Sequence, residues 1–252
     1  MTRTSTSSNA ATQRYCHACA KSVEITDNHS LPRNVTSSES GTILKENTRP
    51  GFRRLQHKTD DLLAAIELFS SREPDALTTS QKAALESFKQ WYGPINVKRS
   101  KTKLIKYCKL LDRIFFAGSL GGFTDVQFEP DMDQSKKLGY TSRPETDTYG
   151  KPLVKIRISA LNLAGTVDDD STEVLAVLLH EMIHAFLMLF HCHCEACLKQ
   201  STTEIGYTGH GKAWEKMAIR IQNAASAKLG LQVDGIGRNV RYELEVAQAL
   251  GA

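Results

Sequence analysis

Three ionisable side chains interrupt the most apolar stretch of this chain, and their spacing is that of a metal-binding helix. The stretch LLHEMIHAF, residues 178–186, contains His180, Glu181 and His184. Residues four apart on an α-helix differ by about 40° in direction and about 6 Å along the axis, so both imidazoles can bind one ion. Glu181 adjoins the first histidine on the flank of the same face. This is the HExxH arrangement of zinc hydrolases.

The chemistry of a zinc hydrolase requires these residue types. Neutral imidazole is a good zinc ligand, and three protein ligands leave a fourth position for water, whose pKa falls to about 7. Glu181 is the candidate catalytic base, because a neighbouring carboxylate can take the proton of that water and pass it to the leaving amine. The alternative interpretation is a pair of hydrogen-bonded core histidines. Unpaired ionisable groups in an apolar helix are costly, which favours the metal site.

The third ligand defines the class of zinc enzyme, and the chain after His184 excludes one class. The extended motif HExxHxxGxxH is absent, because Leu187 and Phe190 occupy its last two fixed positions. His191 lies on the same helix face as His184. If the helix continues, it is about 10.5 Å further along the axis, too far for the same ion.

His210, in the stretch TGHGKAW, is the better candidate for the third ligand. Gly209 and Gly211 flank it and free the backbone to aim one imidazole at the start of the following helix. Glu215, one turn into that helix, is the second candidate. A glutamate ligand would indicate a different class of zinc protease.

A second candidate metal site follows the apolar helix, in HCHCEACLK, residues 191–199. Cys194 and Cys197 have the spacing of a metal knuckle. The further candidate ligands in this segment are Cys192, His191 and His193. Cys16 and Cys19 repeat the spacing and would complete a four-cysteine site if the N-terminus folds back. The alternative is free thiols in a loop.

The run VKRSKTKLIKYCK, residues 97–109, is a candidate DNA-binding patch. It has no acidic residue and six basic ones, namely Lys98, Arg99, Lys101, Lys103, Lys106 and Lys109. The functional interpretation is contact with DNA phosphates, and the alternative is a solvated helix face. Trp91 and Tyr92 precede the run, where they would stack on bases or pack in the core.

The bulk properties predict one main domain with a tail in an intracellular protein. The chain has 252 residues, a net charge of +4 and a pI near 8.7, which permits a polyanionic partner without requiring one. Residues 1–55, rich in Ser, Thr and Arg, are predicted to be a largely disordered tail, and 56–252 the domain. Three of the six cysteines crowd into residues 192–197, which suits a metal in a reducing compartment.

No signal segment or membrane span is predicted, and no feature implies an oligomer. The chain does not begin with an apolar stretch, and its longest apolar run, 174–190, is broken by the HExxH residues. We therefore expect a protein that is neither secreted nor embedded in a membrane.

The order of predicted elements is helices, a small sheet, then helices. Apolar periodicity predicts helices over 59–71, 78–93, 101–118, 168–190 and 210–230, and a short last one over 238–251. Ser80 is the predicted N-cap of the second. Alternation predicts three strands within 123–131, 137–143 and 152–160. The sequence thus predicts an α+β domain, with a small antiparallel or mixed three-stranded sheet packed with helices and HExxH on the central helix.

These motifs resemble the SprT-like family of zinc metalloproteases, to which Spartan belongs. The resemblance covers about residues 100–225, and includes LDRIFFAGSLGG, VKIRIS, LLHEMIHAF and GHGKAWEKM. It implies a small sheet with helices, zinc ligands at His180, His184 and His210, and a catalytic glutamate at Glu181. It also implies a nuclear protein that digests proteins crosslinked to DNA.

The sequence therefore predicts a zinc metalloendopeptidase with one catalytic Zn²⁺ and a candidate second, structural one. Its expected partners are a protein substrate and DNA. One rival is a zinc-binding, nucleic-acid-associated scaffold without turnover, against which the intact Glu181 argues. The other is a zinc hydrolase that acts on a non-peptide bond.

Overall fold

A computed structural model describes residues 54–55, 57–93, 101–129, 132, 138–146, 152–160, 171–206, 208–233 and 236. The predicted tail, 1–55, lies outside the described residues except for 54 and 55, and the predicted last helix, 238–251, lies outside them entirely. Four residues singled out from the sequence are also outside them: Cys16, Cys19, Lys98 and Arg99.

The described residues form an α+β fold with six α-helices and a small mixed sheet. The helices are α1 (Thr59–Ser71), α2 (Thr79–Trp91), α3 (Lys101–Phe115), α4 (Ser171–Phe190), α5 (Glu195–Glu204) and α6 (Lys212–Leu229). The strands are β1 (Thr124–Glu129), β2 (Gly139–Thr141), β3 (Glu145–Thr146) and β4 (Pro152–Ser159), and a 3-10 turn spans Pro74–Ala76. The five helices and three strands predicted over these residues are confirmed. Helix α5 and the two-residue strand β3 were not predicted.

Strand β4 is the centre of the sheet. Strand β1 pairs with it in parallel, with Val126 opposite Ile156, and β2 pairs with it antiparallel, with Gly139 opposite Ile158. The short β3 pairs antiparallel with the first residues of β4. Of the two alternatives predicted, the sheet is therefore the mixed one. Among the described residues β2 pairs only with β4 and forms an edge of the sheet.

The N-cap of α2 is Thr78, so the prediction of Ser80 was wrong. Thr78 Oγ1 accepts a hydrogen bond from the Gln81 N–H at 3.0 Å, and Gln81 Oε1 accepts one from the Thr78 N–H at 3.2 Å. This reciprocal pair is a capping box, which needs the hydroxyl three residues before the glutamine. The stretch TTSQ offers three adjacent hydroxyls, and the position of Gln81 selects the first.

Helix α4 is the central helix of the domain, as predicted. It packs against α1, α3, α6 and the strands β2 and β4. It is also long and apolar enough to span a membrane by composition, with a mean hydropathy of 1.8, but 72% of the window is buried inside the domain. Its place in the core accounts for that composition. The predicted helix end at Gly230 is also confirmed, because α6 stops at Leu229.

Candidate metal centre

Two elements bring three histidine side chains to one point. Helix α4 carries His180 and His184, and the loop before α6 carries His210. The Nε2 atoms of His180 and His184 are 3.2 Å apart, those of His184 and His210 are 3.0 Å apart, and those of His180 and His210 are 2.9 Å apart. The three ligands predicted from the sequence therefore converge through the same ring nitrogen.

All three imidazoles are in the neutral form that binds metals. Burial lowers the pKa of His180 and of His210 to about 4, and lowers that of His184 well below its ordinary value. His180 Nδ1 lies 3.0 Å from the carbonyl oxygen of Ile236. A carbonyl oxygen only accepts hydrogen bonds, so the proton of His180 is on Nδ1 and its Nε2 carries a lone pair. A bond from Nδ1–H to a backbone carbonyl is typical of metal-binding histidines.

Hydrogen bonds among the three Nε2 atoms cannot satisfy all of them. Each Nε2 of a neutral imidazole is either a donor or an acceptor, so at least two of the three are alike and repel at these distances. A cation bound by three lone pairs removes the conflict. Ligand bonds of 2.0–2.1 Å in a tetrahedral zinc site separate the nitrogens by about 3.3 Å, close to the observed distances. The donor set fits a metal ion.

The two glycines beside His210 allow the loop to reach α4. Gly209 has φ +86, and a Cβ there would lie 3.3 Å from the imidazole of His184. A Cβ at Gly211 would come within 2.5 Å of the carbonyl carbon of Ile205. The prediction that the glycines free the backbone around His210 is confirmed. Gly209 adopts a left-handed backbone conformation, and Gly211 allows close approach of another backbone segment. Thr208 Oγ1, 2.9 Å from His210 Nδ1, holds the ring from its other side.

The other candidates for the third ligand lie elsewhere. Among the described residues, neither Glu215 nor His191 belongs to the histidine group. His191 is buried just after α4 ends, and it forms an isolated parallel bridge with His57. The helix-rise argument from the sequence was therefore correct to reject His191 as a third member of the histidine group.

Trp214 forms one wall of the histidine group and was predicted only as part of a motif. It is fully buried, and its ring centroid lies 4.6 Å from that of His180, 5.3 Å from that of His184 and 4.7 Å from that of His210. The indole packs against all three imidazoles and shields them from water on that side. Its position one helical turn after His210 is the signal that could have assigned it to the site.

Glu181 lies beside the histidines, with one carboxylate oxygen held by the sheet. Its Oε1 is 4.0 Å from His180 Nε2. Its Oε2 accepts a hydrogen bond from Thr141 Oγ1 at 2.7 Å, and that hydroxyl is also 3.0 Å from the carbonyl oxygen of Glu181. The side chain is only 6% exposed. The carboxylate is thus fixed by an edge strand from outside its own helix.

Strand β2 approaches Glu181 so closely that only glycine fits at one position. A Cβ on Gly139 would lie 2.9 Å from Glu181 Oε1 and 2.7 Å from Val177 Cγ1. Gly139 and Thr141 are therefore site residues that sequence reasoning missed. The available signal was the glycine inside the predicted strand KLGYTSR, since glycine in a strand often marks the close approach of another element.

The candidate second site is formed in part. The Sγ atoms of Cys192, Cys194 and Cys197 all lie within 4.8 Å of one another. Among the described residues, His191 and His193 do not belong to this group. The cysteines therefore converge, although the histidines of the same segment do not join them.

The described part of the basic run is only partly a free charged surface. Lys103 Nζ donates to the carbonyl oxygen of Gly93 at 2.9 Å, and Lys106 Nζ lies 2.8 Å from the ring centroid of Trp91. Lys101 and Lys109 are exposed on α3. Lys98 and Arg99 lie outside the described residues.

Neither aromatic residue before the basic run is a core residue. Trp91 is 55% exposed, with Lys106 over its ring, and Tyr92 is 43% exposed. Tyr92 stacks on Phe88, with the ring centroids 5.5 Å apart, and its hydroxyl lies 3.1 Å from Thr172 Oγ1. Of the two sequence interpretations, core packing was therefore wrong for both residues.

The fold and site define an α+β domain whose central HExxH helix contributes two histidines to a group of three. Comparison of the chain with protein-family models, with characterised proteins and with solved structures finds no match. The resemblance to the SprT-like family therefore rests on the motifs quoted above.

Proposed function

We propose that this protein is a zinc metallopeptidase of the SprT-like type that cleaves DNA-associated proteins in the nucleus. The observation that carries the proposal is the convergence of the Nε2 atoms of three neutral histidines, with Glu181 Oε1 4.0 Å from one of them and Glu181 Oε2 held by Thr141. Nitrogen donors suit several transition metals, and the HExxH context favours zinc among them.

His180, His184 and His210 would hold the zinc ion, which when bound supplies Lewis-acid activation of water and of the substrate carbonyl. Glu181 takes a proton from the attacking water at Oε1, because Oε2 is engaged by Thr141. The same carboxyl group then delivers the proton to the nitrogen of the leaving amine. Burial of Glu181 and the wall formed by Trp214 restrict competing water at the site.

A cleavage assay tests the proposal against both rivals. The purified chain is incubated with an unfolded basic protein, with and without DNA, before and after removal of metal by a chelator. We expect peptide products that disappear with the chelator and return when zinc is restored. Zinc and DNA binding without peptide products would instead support the scaffold. Hydrolysis of a model ester or phosphodiester without peptide products would support a non-peptide hydrolase.

Thr141→Val is expected to lower kcat while KM and metal content stay unchanged. Valine keeps the shape of threonine but cannot donate to Glu181 Oε2, so the carboxylate loses its fixed orientation. A hydrogen bond to a charged group contributes about 1.5–3 kcal/mol, so the loss in kcat is expected to be about 10- to 100-fold. Steady-state kinetics and zinc analysis of the same samples measure both quantities.

Thr141→Ser is the matched control, since it keeps the hydroxyl and should retain most of the activity. Full activity of Thr141→Val would show that the bond to Glu181 does not orient the base. Loss of zinc from Thr141→Val would show that the residue has a structural role instead.

DNA binding by the basic run is the second part of the proposal, supported by the exposed Trp91 beside Lys106. Six basic residues allow roughly three to six phosphate contacts, so the log–log slope of affinity against salt should be about −2 to −5. Lys101→Glu with Lys109→Glu should lower DNA affinity and flatten this slope, with zinc content unchanged. Fluorescence anisotropy of labelled DNA at several salt concentrations measures both.

A charge-matched control variant changes lysines outside the run, Lys82→Glu with Lys216→Glu, both exposed. It should lower affinity less than the variant within the run. Equal losses of DNA affinity in the two double variants would show that only the net charge matters. A salt slope that stays unchanged in Lys101→Glu with Lys109→Glu would identify the run as a solvated face. If a chain that lacks residues 1–53 no longer binds DNA, the DNA-binding residues are in the tail.

A further inference from the structure

We propose that Cys192, Cys194 and Cys197 form a second, structural zinc site, separate from the histidine site and outside the proposed catalysis. The site would bind zinc through three thiolates, with one position left for a further ligand. Thiolate ligands select soft or borderline metal ions, among which zinc is the usual structural ion.

The sulfur positions fit a metal ion better than a disulfide framework. All three Sγ atoms lie within 4.8 Å of one another, and none of the three cysteines forms a disulfide within the described part of the chain. Zinc–sulfur bonds of about 2.3 Å in a tetrahedral site place the sulfurs about 3.8 Å apart, which is compatible with this spacing. A disulfide between any two of them would leave the third thiol unused.

The backbone around the cysteines directs N–H groups at their sulfurs. The Cys194 N–H donates to Cys192 Sγ at 3.4 Å, and the Cys197 N–H donates to Cys194 Sγ at 3.5 Å. Cys194 is also the N-cap of α5. The N-terminus of a helix favours negative charge, and the thiolate is the form of cysteine that binds metals. The backbone thus directs two N–H groups at sulfur atoms of this cluster, one of them as the N-cap bond of α5.

The cysteines are buried apart from the hydrophobic core. Cys192 is fully buried and Cys197 is 5% exposed, and Cys194, which is partly buried, packs against this pair. A metal ion held by the three thiolates would lie within this buried group.

The bound ion would stabilise the backbone segments that position His210. The Cys192 N–H donates to the carbonyl oxygen of His57 at 2.8 Å, and the His57 N–H donates to that of Phe190 at 3.1 Å. Cys197 lies in the first turn of α5, and the carbonyl oxygen of Ile205, the C-cap of that helix, accepts a bond from the Gly211 N–H beside His210. A bound ion would therefore connect the end of α4, the segment before α1, and the helix that leads to His210.

Metal stoichiometry of the purified full chain, prepared under reducing conditions, tests the site. We expect two zinc ions per chain in the wild type, and one in Cys192→Ser with Cys197→Ser. One is also expected in His180→Ala with His184→Ala, which leaves the cysteines intact. Cys108→Ala is the matched control, because Cys108 is a buried free cysteine in α3 outside the cluster, and it should retain both ions.

A measurement on the wild-type chain keeps the test valid if a cysteine variant fails to fold. Alkylation followed by peptide mapping should show the three cysteines protected until a chelator is added. The His180→Ala, His184→Ala chain loaded with Co²⁺ should show thiolate-to-cobalt charge-transfer absorption.

Alkylation that does not depend on zinc or chelator would overturn the proposal, as would a His180→Ala, His184→Ala chain that binds no metal. Copper in place of zinc would overturn the choice of ion. Two bound zinc ions without any peptide cleavage would reject the proposed function and leave this site standing.

Discussion

Glu181→Gln is expected to abolish peptide cleavage and to leave the zinc content unchanged. An amide has nearly the size of the carboxylate, and its oxygen can still accept the hydrogen bond from Thr141. Its NH₂ group would then face the histidines, where it cannot take a proton from water. The loss in kcat should be on the order of a hundredfold or more. Single-turnover cleavage and metal analysis of one preparation measure both effects.

The matched control is Glu173→Gln, the same substitution on the same helix and two turns before Glu181. It should cleave at the wild-type rate. If Glu181→Gln also cleaved at that rate, another group would be the base. If it lost zinc, the role of Glu181 would be structural.

His210→Ala is expected to release the ion from the histidine site, so the total zinc content falls by one per chain. The two histidines on α4 would remain, but the third Nε2, that of His210, would be lost. Loss of outer-shell partners alone already lowers metal affinity by about 10- to 100-fold, so loss of a direct ligand should exceed that range. Competition with a chromogenic chelator measures the affinity.

Glu215→Ala is the paired experiment, because Glu215 was the second candidate from sequence and lies in the same helix turn as Trp214. It should retain the ion with wild-type affinity. The reverse result, with metal retained by His210→Ala and lost by Glu215→Ala, would move the chain to a class with a glutamate ligand.

The helix-borne half of the site could be predicted from the sequence alone. The directions of His180, Glu181 and His184 depend only on helix geometry, and an apolar run of this length predicts the helix. The core faces of the strands could also be predicted, because alternation in a strand fixes which residues share a face. Val154, Ile156 and Ile158 are indeed buried.

Helix α5 shows where periodicity failed. Its sequence, EACLKQSTTE, has no apolar stripe, so nothing in the pattern separates it from a loop. Its start is fixed by a cap, where Cys194 Sγ accepts a bond from the Cys197 N–H. Cysteine is an unusual capping residue, and the same atom is a candidate metal ligand.

The sequence by itself determined which helix carries two of the three histidines and which residue types form the candidate metal centre. Only the tertiary structure decided between His210 and Glu215, and placed Thr141 and Gly139 against Glu181. The physical reason is distance along the chain. Local periodicity fixes directions within one helix or strand. Contacts across 26 to 42 residues depend on how the antiparallel edge strand and the glycine-flanked loop pack onto α4.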